Sequence, residues 1–193
     1  MPDRRDVSAG LAGLVCAALA PAALVPAARA ATGGTNAWGF FFEGLKGDEI
    51  RLADFRGKPV LVVNTASRCG YTPQYAGLQQ LWTRFGSRGL TVIGVPSNDF
   101  GGQEPGGVAE IVATEQGYGV TFPMATKTQV LGVQAHPFYR WAAAEKPGET
   151  PRWNFHKYLV GRDGRVAASI PTTTEPTDPR VIAAITRELP TLG

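Results

Sequence analysis

The stretch NTASRCGYT, Asn64 to Thr72, carries the thiol of Cys69 directly after an apolar run, PVLVV (Pro59–Val63). A segment with helical spacing follows it. A cysteine between a strand and a helix meets backbone N–H groups and the positive end of a helix dipole, and both favour thiolate over thiol. Arg68 adds a positive charge next door. Such a sulfur is equipped to act as a nucleophile or to react with peroxide. Dithiol exchange within one motif is excluded, because positions 69–72 read Cys-Gly-Tyr-Thr and lack the second sulfur of Cys-x-x-Cys. Metal chemistry has little support: His136 and His156 are separated, and no ligand cluster surrounds them.

The first thirty residues read as an export signal. Arg4 and Arg5 precede an apolar stretch from Gly10 to Val25, and Ala28-Arg29-Ala30 has the small-x-small form of a cleavage site. Pro21 and Pro26 interrupt the run, so a stable membrane span is not expected. The arginine pair is compatible with twin-arginine export, and an ordinary secretory signal fits at least as well. Either route predicts a periplasmic protein. The chain has two cysteines, and Cys16 leaves with residues 1–30. The mature chain then holds one thiol, which composition alone leaves as a reactive group, an intermolecular bridge or an inert packed side chain.

The remaining pattern supplies the elements that must position this thiol. Residues 31–37 are small and polar and read as a loose terminus; 38–193 reads as one domain. Trp38–Phe42 and Glu49–Leu52 suggest a first hairpin, and the unbroken apolar run Pro59–Asn64 a strand buried on both faces. Tyr75–Gly86 has apolar residues on one helical face, at Leu78, Leu81, Trp82 and Phe85. Leu90–Val95 is a second buried strand, and PSNDFGGQEPGG (Pro96–Gly107) a long turn-rich loop. Short helices are expected over Val108–Glu115 and Ala135–Ala144. A strand over Phe155–Val160 turns at Arg162–Arg165 into Val166–Ile170, and Asp178-Pro179 opens a last helix to about Glu188. This is an α/β, thioredoxin-like arrangement: a central mixed sheet flanked by helices, with an N-terminal β-hairpin extension. The net charge of +3, without a long basic block, gives no footprint for nucleic acid.

Three segments, NTASRCGYTPQYAGLQQL, GVPSNDFGGQEPG and WNFHKYLVGRDG, resemble in order and spacing the signature segments of the glutathione peroxidase family, and YGVTFPM adds a fourth. The resemblance runs from about Phe40 to Leu189. It implies a thiol-dependent peroxidase acting in oxidative stress, without prosthetic group or metal. The family's peroxide-reducing residue falls on Cys69, its glutamine on Gln103, and its tryptophan and asparagine on Trp153 and Asn154. Amides and an indole N–H donate without bringing negative charge, which suits a sulfur that is anionic both as thiolate and as sulfenate. Residues 153 and 154 of a regular strand point to opposite faces, so the chain must be irregular there for both to reach the sulfur.

Two departures refine the expectation. The position of the family's resolving cysteine falls at or near Thr114, so the oxidised sulfur must be reduced by an external thiol, with glutathione favoured over a thioredoxin-like protein. The same departure keeps open an alternative, a redox sensor that passes oxidation to a partner by mixed disulfide. The short loop before Trp153 is similar to the monomeric branch of the family, which accepts organic and lipid hydroperoxides as well as hydrogen peroxide. Arg68 and Arg152 flank the four residues and are candidates for holding substrate carboxylates.

Overall fold

A computed structural model describes residues 35–191. The expected signal at 1–30 and its Cys16 lie outside the described residues, as does most of the expected loose segment 31–37. The last of that segment departs from expectation: Ala37 is fully buried and its N–H donates to Gly164 O at 2.8 Å.

Among the described residues there are six strands and four α-helices. The strands are β1 (Phe41–Glu43), β2 (Glu49–Arg51), β3 (Val60–Thr65), β4 (Thr91–Pro96), β5 (Lys157–Val160) and β6 (Val166–Ile170). The helices are α1 (Gln74–Phe85), α2 (Val108–Gly117), α3 (Pro137–Glu145) and α4 (Pro179–Glu188). The central sheet has the order β4-β3-β5-β6, with β3 parallel to β4 and antiparallel to β5, and β5 antiparallel to β6. β1 and β2 form a separate antiparallel hairpin. The expected mixed sheet with a hairpin extension is the observed one.

The alternation of side chains along β3 divides the core. Val60 and Val62 pack with Phe40, Phe42 and Phe138 in one cluster, whereas Leu61 and Val63 pack with Leu78, Leu81 and Ile185 in the other. The hairpin and α3 therefore cover one face, and α1 and α4 the other. All six residues of β3 are buried, which is why its sequence reads as continuous apolar residues rather than as alternation.

Two boundaries move for local reasons. Trp38 does not begin a strand: Ala37–Gly39 forms a 3-10 turn because Asn36 Oδ1 accepts the Trp38 N–H at 3.1 Å. α1 begins at Gln74, within one residue of the expected Tyr75 and five residues after Cys69. Between them Thr72 winds a turn, its hydroxyl accepting Cys69 N–H at 3.0 Å and lying 2.7 Å from Cys69 O and 2.9 Å from Ala66 O. β5 begins at Lys157 rather than Phe155, because Phe155 has φ of 62°. That is the left-handed region, costly for a bulky side chain and incompatible with a continuing strand.

Candidate active site

Cys69 stands four residues past the C-terminal end of β3, 7% exposed, packed beside Tyr75 and Phe155 in the α1-side core. Among the described residues its sulfur accepts one hydrogen bond, from the Tyr71 N–H at 3.4 Å. The backbone donor expected of a helix N-terminus thus comes from the turn preceding the helix. Thr72 sets that turn, a role the sequence reading did not assign; the Cys-x-x-Thr spacing, with a hydroxyl three residues on, is its signal.

The loop after β4 is pinned to the cysteine loop by consecutive hydrogen bonds. Gln103 O accepts the Arg68 N–H at 3.0 Å. Glu104 Oε2 accepts the Ser67 N–H at 2.9 Å and lies 3.1 Å from the Ser67 hydroxyl. Asn98 Oδ1 in turn accepts the Glu104 N–H at 2.9 Å. Glu104 is fully buried with its second carboxylate oxygen unpartnered, and burial raises its pKa against the opposing bonds from Ser67. A buried carboxylate clamping the cysteine loop was missed in the sequence, where Glu104 reads as one more polar loop residue.

The third segment arrives from β5. Asn64, at the end of β3, donates from Nδ2 to Trp153 O at 3.0 Å, and its own carbonyl accepts the Phe155 N–H at 2.6 Å. This clamp holds the residues on either side of Asn154 and ends at Phe155 with its left-handed conformation, so the chain is irregular here, before β5 begins. Asn154 is fully buried. Its Nδ2 donates to Gln103 Oε1 at 2.9 Å and to Phe100 O at 3.4 Å. A backbone carbonyl can only accept, so it fixes which side of the Asn154 amide faces the loop. Gln103 must then turn its oxygen to Asn154, leaving its NH2 group as the free donor.

Trp153 is 38% exposed and packs over the same loop, its ring centroid 6.3 Å from that of Phe100. A Cβ at Gly101 would stand 3.2 Å from the Trp153 ring, and Gly101 has φ of 65°. The positive φ favours glycine there, and a side chain would press on the ring. Gln103, Trp153 and Asn154, distant in sequence, thus meet at the loop whose backbone holds Arg68 and so Cys69.

The two arginines fare differently. Arg68 lays its fork on Glu110, with Nε at 2.7 Å from Oε1 and a terminal nitrogen at 3.0 Å from Oε2. That pairing engages the face expected to receive a substrate carboxylate. Arg152 is exposed, takes part in no ion pair among the described residues, and lines a groove of about 640 Å³ beside Trp153 and Tyr71.

Neither histidine is poised as a base. His136 caps α3, accepting the Phe138 N–H at 3.3 Å, and stacks on Phe42. His156 lies 3.0 Å from the Ser169 hydroxyl. Burial depresses both to about 4, so both are neutral near pH 7. Among the described residues no group of three or more His, Cys, Asp or Glu is placed to hold a metal ion, and no helix is long and apolar enough to cross a membrane.

A mixed four-stranded sheet with a thiol beyond the C-terminal end of a central strand, followed by a helix, defines a thioredoxin-like protein. A thiol:disulfide interchange protein of the thioredoxin family from Chlorobium tepidum shares this fold, with a TM-score of 0.59 over 78% of this chain and 93% of its own, at 17% identity. The crystal structure of Trgpx in apo form is more similar, with a TM-score of 0.64 over 81% of this chain and 99% of that one, at 37% identity. Residues 38–143 match the glutathione peroxidase family model. A hydroperoxy fatty acid reductase of Synechocystis is 48% identical over 149 residues, 72% of this chain and 88% of that protein. The chain belongs to the glutathione peroxidase family and is a peroxidase, an oxidoreductase of the hydroperoxide-reducing kind.

Proposed function

We propose that the protein reduces hydrogen peroxide and organic or fatty-acid hydroperoxides through Cys69 and is recycled by external thiols, with glutathione the favoured reductant. The Cys69 thiolate attacks the peroxide's terminal oxygen and the O–O bond breaks. The sulfur becomes a sulfenic acid, and the leaving oxygen takes a proton to give an alcohol or water. One thiol condenses with the sulfenic acid, releasing water and forming a mixed disulfide. A second thiol attacks that disulfide, restoring Cys69 and leaving as the oxidised dimer.

The observation that carries this reading is the solitary Cys69, turned into a packed loop with a backbone donor on its sulfur and no second cysteine among the described residues. Gln103 and Trp153 supply the donors for charge shifted onto the peroxide, and Asn154 orients Gln103. The relative named as a hydroperoxy fatty acid reductase supports the substrate class. The deciding experiment is a steady-state peroxidase assay with glutathione and with a thioredoxin system side by side. Turnover with glutathione, abolished in Cys69→Ser, is expected. Turnover with thioredoxin alone would reverse the choice of reductant, and no turnover with either would overturn the reading.

Because the sulfenic acid has no internal partner, transfer to a client protein's thiol is the second reading. Trapping of one specific mixed disulfide without multiple turnover would favour it. The protein is further proposed to be exported after cleavage following Ala30 and to act as a periplasmic monomer. Mass spectrometry of the mature N-terminus and light scattering test these points.

A further inference from the structure

We propose that the groove of about 640 Å³ beside Trp153 is an acyl-chain site that seats the hydrocarbon tail of long-chain hydroperoxides. This rests on the hydroperoxide-reducing function proposed above and adds to it a place where the tail lies. The groove is lined by Tyr71, whose N–H donates to the Cys69 sulfur, and by Trp153. The strap after β6 adds Pro171, Thr172 and Thr173 to its wall. Its volume falls in the range of about 300–1,000 Å³ usual for small-molecule sites.

The wall is held rigid from beneath. Gln74 Nε2 donates to Thr172 O at 2.8 Å, the Thr172 hydroxyl donates to Asn154 O at 2.8 Å, and Lys157 Nζ donates to Thr174 O at 2.7 Å. Those bonds also decide the chemistry of the lining. The Ser169 hydroxyl is within 2.8 Å of Glu149 O and 3.0 Å of His156, and that imidazole is neutral. The Ser169, His156 and Thr172 side chains are thus partnered within the protein, and the surface that remains towards a ligand is largely carbon. Such a surface suits a hydrocarbon chain; a tripeptide would lose hydrogen bonds to water there without replacing them.

The charged side chains of the lining are Arg152 and Glu149, both exposed. Arg152 offers a partner to the carboxylate of a free fatty acid, whereas an acyl chain within a phospholipid needs none. This distinguishes the two sources of the same chain.

The test uses the full protein with a homologous series of linear alkyl hydroperoxides and with hydrogen peroxide. Each methylene that enters the groove is expected to raise kcat/KM by up to about fourfold, until the groove is full. Thr173→Trp fills the groove from an exposed position, and should lower the ratio of long-chain to hydrogen peroxide kcat/KM by about tenfold or more. Arg152→Ala should slow linoleic acid hydroperoxide relative to phosphatidylcholine hydroperoxide. A flat chain-length series, or a ratio unmoved by Thr173→Trp, would overturn the proposal. Calorimetric binding of linoleic acid itself separates this failure from failure of the catalytic reading. Binding that is lost in Thr173→Trp supports the groove even if no hydroperoxide turns over. Binding that is absent, or equal in both proteins, overturns it even if turnover is fast.

Discussion

Replacing Asn154 by Asp tests the orientation argument at the centre of the site. The two N–H groups of Asn154 donate to Gln103 Oε1 at 2.9 Å and to Phe100 O at 3.4 Å. A carboxylate in their place would face two acceptors with lone pairs. Phe100 O cannot reverse its polarity; Gln103 can, by turning its amide to donate from Nε2. That turn carries the Gln103 oxygen to the position its NH2 had held, so a donor for developing negative charge becomes an acceptor. Loss of one such donor slows reactions by about 10²–10³-fold. The rate constant for oxidation of reduced protein by hydrogen peroxide is expected to fall by that amount, measured by stopped-flow fluorescence before any thiol is added. The buried acceptor left opposite Phe100 should also cost about 1–3 kcal/mol in urea denaturation. Protonating the introduced carboxyl gives back one O–H donor, so the deficit relative to the unsubstituted protein at the same pH should shrink as pH falls. Asn154→Ala, which leaves Gln103 free to choose, should lie between the two. An Asn154→Asp protein that folds and reacts at the original rate would refute the orienting role.

Two further outcomes follow from charge and burial. Burial holds Lys157 down to about 8 from 10.5, opposed by nearby Glu175. Between those values the unfolded chain keeps a proton that the folded one has lost, so stability should rise with pH from about 8 to 10.5, by about 3 kcal/mol. Lys157→Met should lack that rise, and a difference between the two proteins that is flat across the window in urea titrations would contradict the burial argument. Arg68→Ala should change the KM for glutathione by less than about twofold, since the exposed Arg68 side chain is already engaged by Glu110; a large rise in KM would return Arg68 to the substrate.

Much of the fold was legible because burial and periodicity are local signals. The run Pro59–Asn64 had to be a doubly covered strand, and Leu78, Leu81 and Phe85 had to share one helical face. The misplaced boundaries have side-chain causes that composition does not carry. Asn36 captures one N–H and turns Trp38 out of a strand. Phe155 in the left-handed region is the least legible of all, since an aromatic after Asn reads as the start of β5. Asn64 of β3, far earlier in the chain, accepts its N–H at 2.6 Å and holds it there.

The chemistry divides in the same way. Sequence by itself determined that Cys69 is the lone thiol beyond residue 30, that a buried strand precedes it and a helix follows, and that amide and indole donors stand in three matched segments. These are properties of residue type and short-range order. The tertiary structure alone decided how the donors are used. Asn154 spends its N–H groups on Gln103 and Phe100; Glu104 clamps the cysteine loop; and Glu110 engages Arg68, whereas Arg152 has no ion-pair partner among the described residues and lines a groove. A hydrogen-bonding group can be recognised from its type, but its partner is settled by what the fold brings within 3 Å of it.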